Sequence, residues 1–367
     1  MAKKLIILTG GISSDGISSS WYSICKELKK NDTSEYQIDF LEISEVSDEN
    51  GVENYRKLGY NIISTPFRQS APLSYFKSLR RIIRKGEYDT IHVNGSSSFM
   101  ILEMLAARLE GVKIRIAHSH NTTCNNKLLH KVLFKPFNLL TNLRLACGEE
   151  AGKWLFGKSP FTIFHNGIDL EKFRFSAENR KNSRKLLSLD DDTLAFGHVG
   201  KFNYQKNHEF LLKVFSEILK IKPKSRLFLF GDGELMEGMK ILAESIGIID
   251  KVSFMGVVTN IDYYLSGLDE MLLPSRFEGL PNVVVEWQAA GLPSIISDCI
   301  TQECKVSDLV KFMSLEDSHI SWAKKAIENI PDICNRKYIS FKAIDSLKSN
   351  GFDISAQTLT LQELYKL

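Results

Sequence analysis

Glu270-Met-Leu-Leu-Pro-Ser-Arg-Phe-Glu278-Gly-Leu-Pro281-Asn-Val-Val-Val-Glu286-Trp-Gln-Ala-Ala-Gly291-Leu-Pro-Ser294-Ile-Ile-Ser297 reads as one complete structural unit. Its ends, Glu270–Leu273 and Ser294–Ser297, are short aliphatic runs that predict strands, and Val283–Ala290 between them predicts a helix. A strand, a crossover helix and a second strand in so short a span imply parallel pairing, because parallel neighbours need a crossover connection.

The same rhythm extends outward in both directions. Towards the carboxyl side of residue 192, strands are predicted at Ala195–Gly200, Arg226–Phe230 and Val252–Met255, with helices at Asn207–Ile221 and Leu235–Ile246. In the first half the predicted strands are Leu5–Thr9, Gln37–Ile43, Asn61–Thr65, Thr90–Asn94, Lys113–Ser119, Leu143–Cys147 and Phe161–His165. Helical patterns fall at Tyr75–Lys85, Met100–Glu110 and Lys127–Leu139, and the tail beyond Ser318 reads as helical. Between the two series lies the polar stretch Asp169–Asp192, which reads as an interdomain connection. The fold class expected is α/β, with two doubly wound parallel-sheet domains facing across a cleft. Ligands in such sheets bind at the carboxyl ends of the strands.

Composition agrees with this reading. The 367 residues allow about two domains at roughly 150 residues each, and 43% hydrophobic with 25% charged residues excludes a disordered or collagen-like chain. The six cysteines are scattered without CxxC pairs, so they read as reduced thiols in a cytosolic protein rather than as a zinc or disulfide framework. The apolar run Leu5–Leu8 is too short for a secretory signal, and no stretch reaches the roughly 20 apolar residues of a membrane span. The net charge of +3 gives no argument for nucleic acid, yet it hides an asymmetry. Residues 1–175 carry 24 basic and 18 acidic side chains, against 23 and 26 in the remainder, and residues 60–145 carry 13 against 4.

Chemistry-bearing residues cluster at strand exits. Glu278 lies on the loop before the Val283–Ala290 helix and Glu286 inside it, so two carboxylates, good acceptors for sugar hydroxyls, bracket a helix start suited to an anion. Pro281 suits the first turn. Gly197-His-Val-Gly200-Lys201-Phe-Asn-Tyr-Gln-Lys206-Asn-His208 puts two lysines on a strand exit, where ammonium groups can neutralise a diphosphate. Gly231-Asp-Gly233-Glu234 is a glycine turn after a strand. In the first half, Gly10-Gly11-Ile-Ser-Ser-Asp-Gly16 opens a helix in a setting that lets backbone approach a phosphate, although it does not fit GxGxxG. His118-Ser-His120-Asn ends a strand, and His165-Asn-Gly-Ile-Asp169 is a strand-to-turn exit. No Walker A, HExxH, GxSxG or CxxC zinc set is present, and Asp190-Asp-Asp192 reads as solvated rather than metal-binding.

Taken together, these motifs resemble the retaining glycosyltransferases of family 4, with the two-domain GT-B fold, and in particular the bacterial capsular and exopolysaccharide subgroup. The E-x7-E element Glu278/Glu286 carries the resemblance most specifically, and the segments at Arg115–Thr122, Ala146–Gly157, His165–Asp169, His198–Phe202 and Gly231–Glu234 support it. The resemblance implies an acceptor-side domain over 1–172, a nucleotide-sugar donor domain over 173–336 and helices over 337–367 returning to the first domain. It implies that Glu286 binds the ribose hydroxyls and Glu278 the donor sugar, while Lys201 and Lys206 hold the diphosphate. The backbone at Gly279, Leu280, Pro281, Asn282 and Val283 meets the sugar and distal phosphate, Gly16 approaches the diphosphate, Val257 and Val258 offer backbone groups to the base, and His120, with His118 second, sits near the sugar. Two positions depart from the pattern: Lys201 stands where Arg is usual, losing the bidentate fork, and Trp287 stands where a small residue is usual.

The activity implied is transfer of a sugar from a nucleotide-sugar donor, a UDP-sugar, to a saccharide acceptor that is lipid-linked through a diphosphate, with no metal and no cofactor. Membrane association, if any, is peripheral, at an anionic cytoplasmic face, through the basic segments Tyr75–Lys85 and Lys127–Lys135. Two alternatives stand beside it, a nucleotide-sugar epimerase of the same architecture and a non-catalytic nucleotide-sugar-binding subunit.

Overall fold

The computed structural model describes residues 3–12, 16–30, 36–43 and 49–366. The chain divides into two compact units: Met1–Ile168 with Gly351–Leu367, and Asp169–Asn350.

Unit 1 holds strands β1 (Lys3–Thr9), β2 (Tyr36–Glu42), β3 (Asn61–Ser64), β4 (Thr90–Gly95), β5 (Ile114–Ser119), β6 (Leu143–Ala146) and β7 (Thr162–Ile163). Among the described residues they form one parallel sheet in the order β3-β2-β1-β4-β5-β6-β7. The apolar run Leu5–Leu8 is the centre of β1. Leu5 and Ile7 enter the cluster on one face, with Phe40 and Trp21, and Ile6 and Leu8 the cluster on the other, with Leu79 and Val93. Burial on both faces is why this strand is continuously apolar instead of alternating.

Unit 2 holds β8 (Ala195–Val199), β9 (Arg226–Phe230), β10 (Val252–Gly256), β11 (Glu270–Leu273), β12 (Ser294–Ser297) and β13 (Val310–Met313), parallel in the order β10-β9-β8-β11-β12-β13. The two-domain α/β architecture is therefore as expected. β13 was not expected: its four residues include Lys311 and three of them are only half-buried, so an edge strand here leaves little apolar signal.

Three boundaries differ from the expected ones. The polar stretch 169–192 is not a bare connection, because Ala177–Leu186 is a helix capped by the Ser176 hydroxyl. Arg180 and Arg184 from that helix reach Asp269 at 2.7 and 3.2 Å, so the segment is anchored by ionic contacts that look like solvated polarity in the sequence. The first unit ends at residue 168 instead of 172. The tail returns to it only at Gly351, not at 337, because the helix Arg336–Ser349 belongs to unit 2. Arg336 is fully buried there and donates to the carbonyls of Leu265, Ser266, Leu268 and Ala290, while Ser340 donates to Ala289 at 2.6 Å. The last helix, Ile354–Lys366, does pack in unit 1. Ile354, Leu361 and Tyr365 join the cluster of Leu5 and Ile7.

Candidate active site

In both sheets the strand order reverses once, between β1 and β4 and between β8 and β11. Loops leaving the carboxyl ends of such a pair diverge and leave a crevice. In unit 2 those loops are 200–207 and 274–281, which carry the expected lysines and Glu278.

The structure brings Lys206 and Glu278 together. Lys206 Nζ lies 2.6 Å from Glu278 Oε1, and both side chains are largely buried. Ser275 Oγ donates to the same oxygen at 2.8 Å, and Gln205 Nε2 donates to Oε2 at 2.8 Å. Arg276 joins the two loops further: its backbone N–H donates to Gln205 O at 2.8 Å, its guanidinium to Tyr204 O at 2.7 Å, and it covers the Tyr204 ring at 4.3 Å. Gln205, Ser275 and Arg276 were missed in the sequence. They adjoin Lys206 and Glu278 in the chain, but nothing in their residue types marks them.

Lys201 is exposed and makes no ion pair among the described residues. The Gly231-Asp-Gly233 turn sets its loop. Gly231 and Gly233 have φ of +134° and +154°, and a Cβ at either would lie 2.2 Å from Gly200 O or 2.5 Å from Phe202 O. Phe202 N–H donates to Asp232 O, and Leu235 N–H donates to Phe202 O. The turn thus supports the lysine loop through close backbone approach, which only glycine allows. Beneath it, His198 and His208 are buried with ring centroids 4.6 Å apart, and burial holds them neutral at about 3 and about 2.

Gly279, Leu280 and Pro281 lead into the helix Asn282–Ala289, so Pro281 occupies the cap position one residue outside the first turn. Asn282 and Val283 form that turn. Glu286 does not share Glu278's surroundings. Burial pushes its carboxyl up to about 7, with Lys172 opposing and Asp262 adding to the rise. Lys172 and Asp262 are themselves 3.5 Å apart; separated by 90 positions in the chain, they gave no sequence signal. Val257 and Val258 follow β10, the former exposed and the latter half-buried. Trp287, the unusual neighbour of Glu286, is fully buried, and its indole N–H finds no acceptor among the described residues.

In unit 1, residues 13–15 of the expected phosphate loop lie outside the described residues, and Gly16 begins the helix Gly16–Lys30. His120 directly follows β5. Asn94 Nδ2 donates to Leu8 O at 3.0 Å, so its Oδ1 accepts from Trp21 Nε1 at 2.9 Å and from His120 Nε2 at 2.8 Å. With the amide's donor end committed to Leu8, His120 must carry its proton on Nε2. Burial and the neighbouring His92 lower it to about 3, so the ring is neutral at physiological pH. His118 is interior. Its Nδ1 lies 3.4 Å from His92 Nε2, His92 Nδ1 meets the Tyr365 hydroxyl at 2.9 Å, and the Nε2 of His118 donates to Phe164 O. The His165–Asp169 exit serves the C-terminal segment: Gly167 N–H donates to Gln357 Oε1 at 2.8 Å, and His165 stacks on Phe352.

Among the described residues, no group of three or more His, Cys, Asp or Glu is placed to hold a metal, all six cysteines are free thiols, and no helix is long and apolar enough to cross a membrane. Asp192 pairs with Lys224.

Comparisons with known proteins bear on the family and the fold. The family described as Glycosyltransferase Family 4 matches residues 14–172, and the one described as Glycosyl transferases group 1 matches residues 179–325. EpsF of Bacillus subtilis (strain 168), which carries a glycosyltransferase name, is 32% identical over 337 residues, covering 88% of this chain and 86% of its own. The capsular polysaccharide biosynthesis glycosyltransferase CapH of Staphylococcus aureus is 31% identical, covering 81% of each chain. The UDP-Gal:alpha-D-GlcNAc-diphosphoundecaprenol alpha-1,3-galactosyltransferase of Escherichia coli is 27% identical, covering 78% of each. Among solved structures, Anabaena HepE in complex with UDP and glucose superposes with a TM-score of 0.79 over the whole of both chains at 15% identity, which speaks for the fold. The epimerase and non-catalytic alternatives find no support, since the matched families and relatives are transferases. The chain belongs to glycosyltransferase family 4 and is a glycosyltransferase of bacterial polysaccharide biosynthesis with the GT-B fold.

Proposed function

We propose that this enzyme transfers a sugar from a UDP-sugar to a saccharide linked to a lipid through a diphosphate, with retention at the anomeric carbon. The reading rests on the cradle in which Gln205, Ser275 and Lys206 hold Glu278 on the loop before the Asn282–Ala289 helix. Lys201 and Lys206 neutralise the departing diphosphate, the helix start adds backbone N–H groups, and Glu286 accepts the ribose hydroxyls. Glu278 and the Gly279–Val283 backbone address the donor sugar, Val257 and Val258 the base, and His120 the transferred sugar. The relatives named above, one with a UDP-sugar donor and a diphosphate-linked lipid acceptor in its name, support the donor and acceptor classes.

In the step proposed, the bond from the anomeric carbon to the phosphate oxygen breaks as the acceptor oxygen approaches from the same face. The acceptor's hydroxyl proton passes to the departing phosphate. Two carboxylates flanking the bond, as in glycosidases, are not needed, because the leaving group is good and the lysines stabilise its charge; nor does the step call on a metal or cofactor. The basic first unit fits peripheral attachment at the cytoplasmic face of a membrane.

A thermal-shift panel of nucleotide sugars tests the donor, since a ligand at 100 times its dissociation constant adds about 2.7 kcal/mol to stability. UDP-sugars are expected to raise the melting temperature and GDP- or ADP-sugars to leave it unchanged; the reverse ranking rejects the donor assignment. Release of UDP only when acceptor is present, with the product's anomeric configuration read by NMR, tests transfer and retention. Full turnover by Glu278→Ala with the true acceptor rejects the site assignment.

A further inference from the structure

We propose that His198 is a positioning residue for the diphosphate: its imidazole ties β8 to β11 where the two strands part, and so fixes the spacing of the loops that carry Lys206 and Glu278. This inference rests on the reading above, in which those loops hold a nucleoside diphosphate, and adds the strut that keeps them in register.

The strand order of unit 2 reverses between β8 and β11. Among the described residues these strands pair at Phe196 with Glu270 and at Gly197 with Met271, and no further. One residue on, the chains diverge towards the loops 200–207 and 274–281. There His198 Nδ1 meets Leu272 O at 2.8 Å, with both residues fully buried. A carbonyl only accepts, so Nδ1 carries the proton, and the side chain takes over where the backbone ladder stops. On the opposite side Ser297, the last residue of β12, donates through its hydroxyl to Ser275 O. The segment leading to Glu278 is therefore tied by side chains to both neighbouring strands.

The other edge of the imidazole meets the lysine. His198 Nε2 is buried and has no partner among the described residues. A Cβ built on Gly200 would lie 3.0 Å from that nitrogen and 3.0 Å from both Cδ and Cε of Lys206, so ring edge and lysine stem converge over Gly200. Behind His198 the His208 ring lies 4.6 Å away and stacks on Phe202 at 3.9 Å and 17°, which wedges the imidazole under the lysine loop. Packing alone does not call for a histidine at this position. The bond to Leu272 does, because an apolar side chain would leave a buried carbonyl unpaired. Charges act on a diphosphate only when held in place, and a shift of about 1 Å is enough to weaken them.

Calorimetry on the full chain with UDP, GDP and ADP, which present the diphosphate without a sugar, selects the tightest of the three for use with the variants. His198→Asn keeps a donor where Nδ1 stands, His198→Gln moves it towards Nε2 and the Lys206 stem, and His198→Leu removes it. The asparagine variant is expected to bind the nucleotide as the unaltered chain does, and the other two about tenfold more weakly, the worth of one hydrogen bond. Urea unfolding of each variant runs in parallel. Variants that lose stability yet bind equally well when folded make His198 a merely structural residue, and an asparagine variant as weak as the leucine one rejects the strut; either overturns the proposal. Imidazole nitrogen NMR shifts test it without a substitution: a protonated Nδ1 and a bare Nε2 are expected at His198, and the opposite tautomer overturns it. If the unaltered chain binds none of the three nucleotides, the diphosphate reading falls and this role of His198 with it. If one binds and no variant differs, the diphosphate reading stands and His198 does not position its site.

Discussion

Glu278 accepts three hydrogen bonds on its two oxygens, from Lys206, Ser275 and Gln205. It therefore sets the position of Lys206. Removing one member of a buried pair leaves an uncompensated charge, so Lys206→Met should lower stability by about 3 kcal/mol in urea unfolding. Adding Glu278→Gln should recover much of that loss without recovering transfer, whereas no recovery would mean that the pair is not the source of the cost. Glu286 makes a different prediction. Its carboxyl is raised to about 7, so the folded chain keeps a proton that the unfolded chain releases near 4.5. This group's contribution to stability is complete below about 4.5 and is lost as pH rises through about 7. Donor binding should run the opposite way, because the ionised carboxylate is the better acceptor for ribose hydroxyls. Nucleotide-sugar affinity measured by calorimetry should rise between pH 6 and pH 8, and Glu286→Gln should flatten the profile.

At the scale of elements, the strands of both sheets were readable because central parallel strands are buried on both faces and leave continuous apolar runs. The edge strand Val310–Met313 and the helix Ala177–Leu186 were not, since one is short and half-buried and the other is held by arginines on Asp269. The Gly231–Gly233 turn shows how a weak motif gains a definite role. In the sequence it is only a strand exit; in the fold it presses its backbone against the Lys201 loop. Gly233→Ala should strain both the backbone at φ +154° and the contact with Phe202 O, costing about 1–3 kcal/mol. Weaker nucleotide-sugar binding should accompany it, because the loop that shifts is the one bearing both lysines. A Gly233→Ala chain with unchanged melting temperature and affinity would show that the turn does not support that loop.

On the scale of the whole molecule, the helix Ile354–Lys366 closes unit 1 from far along the chain. Ile354, Leu361 and Tyr365 complete a core that begins at Leu5, and Lys3 Nζ donates to Tyr365 O at 3.1 Å. Leu361→Ala should cost 2–5 kcal/mol, the usual range for emptying such a site. Hydrogen exchange should locate the loss in Met1–Ile168 and the C-terminal helix, leaving Asp169–Asn350 as protected as before; a loss spread equally over both units would contradict the division at Ile168.

Taken alone, the sequence determined the alternation of strands and helices, the two α/β units, the charged residues at the strand exits and, through the E-x7-E segment, the family. These are local properties, carried by periodicity and by residues close together in the chain. Only the tertiary structure decided that Glu278 is closed around Lys206 while Glu286 answers to Lys172 and Asp262, and that His120 is held by Asn94 while His118 is interior. Those outcomes depend on which distant side chains the fold brings within a few ångströms. Electrostatic and hydrogen-bond energies fall off over that same distance.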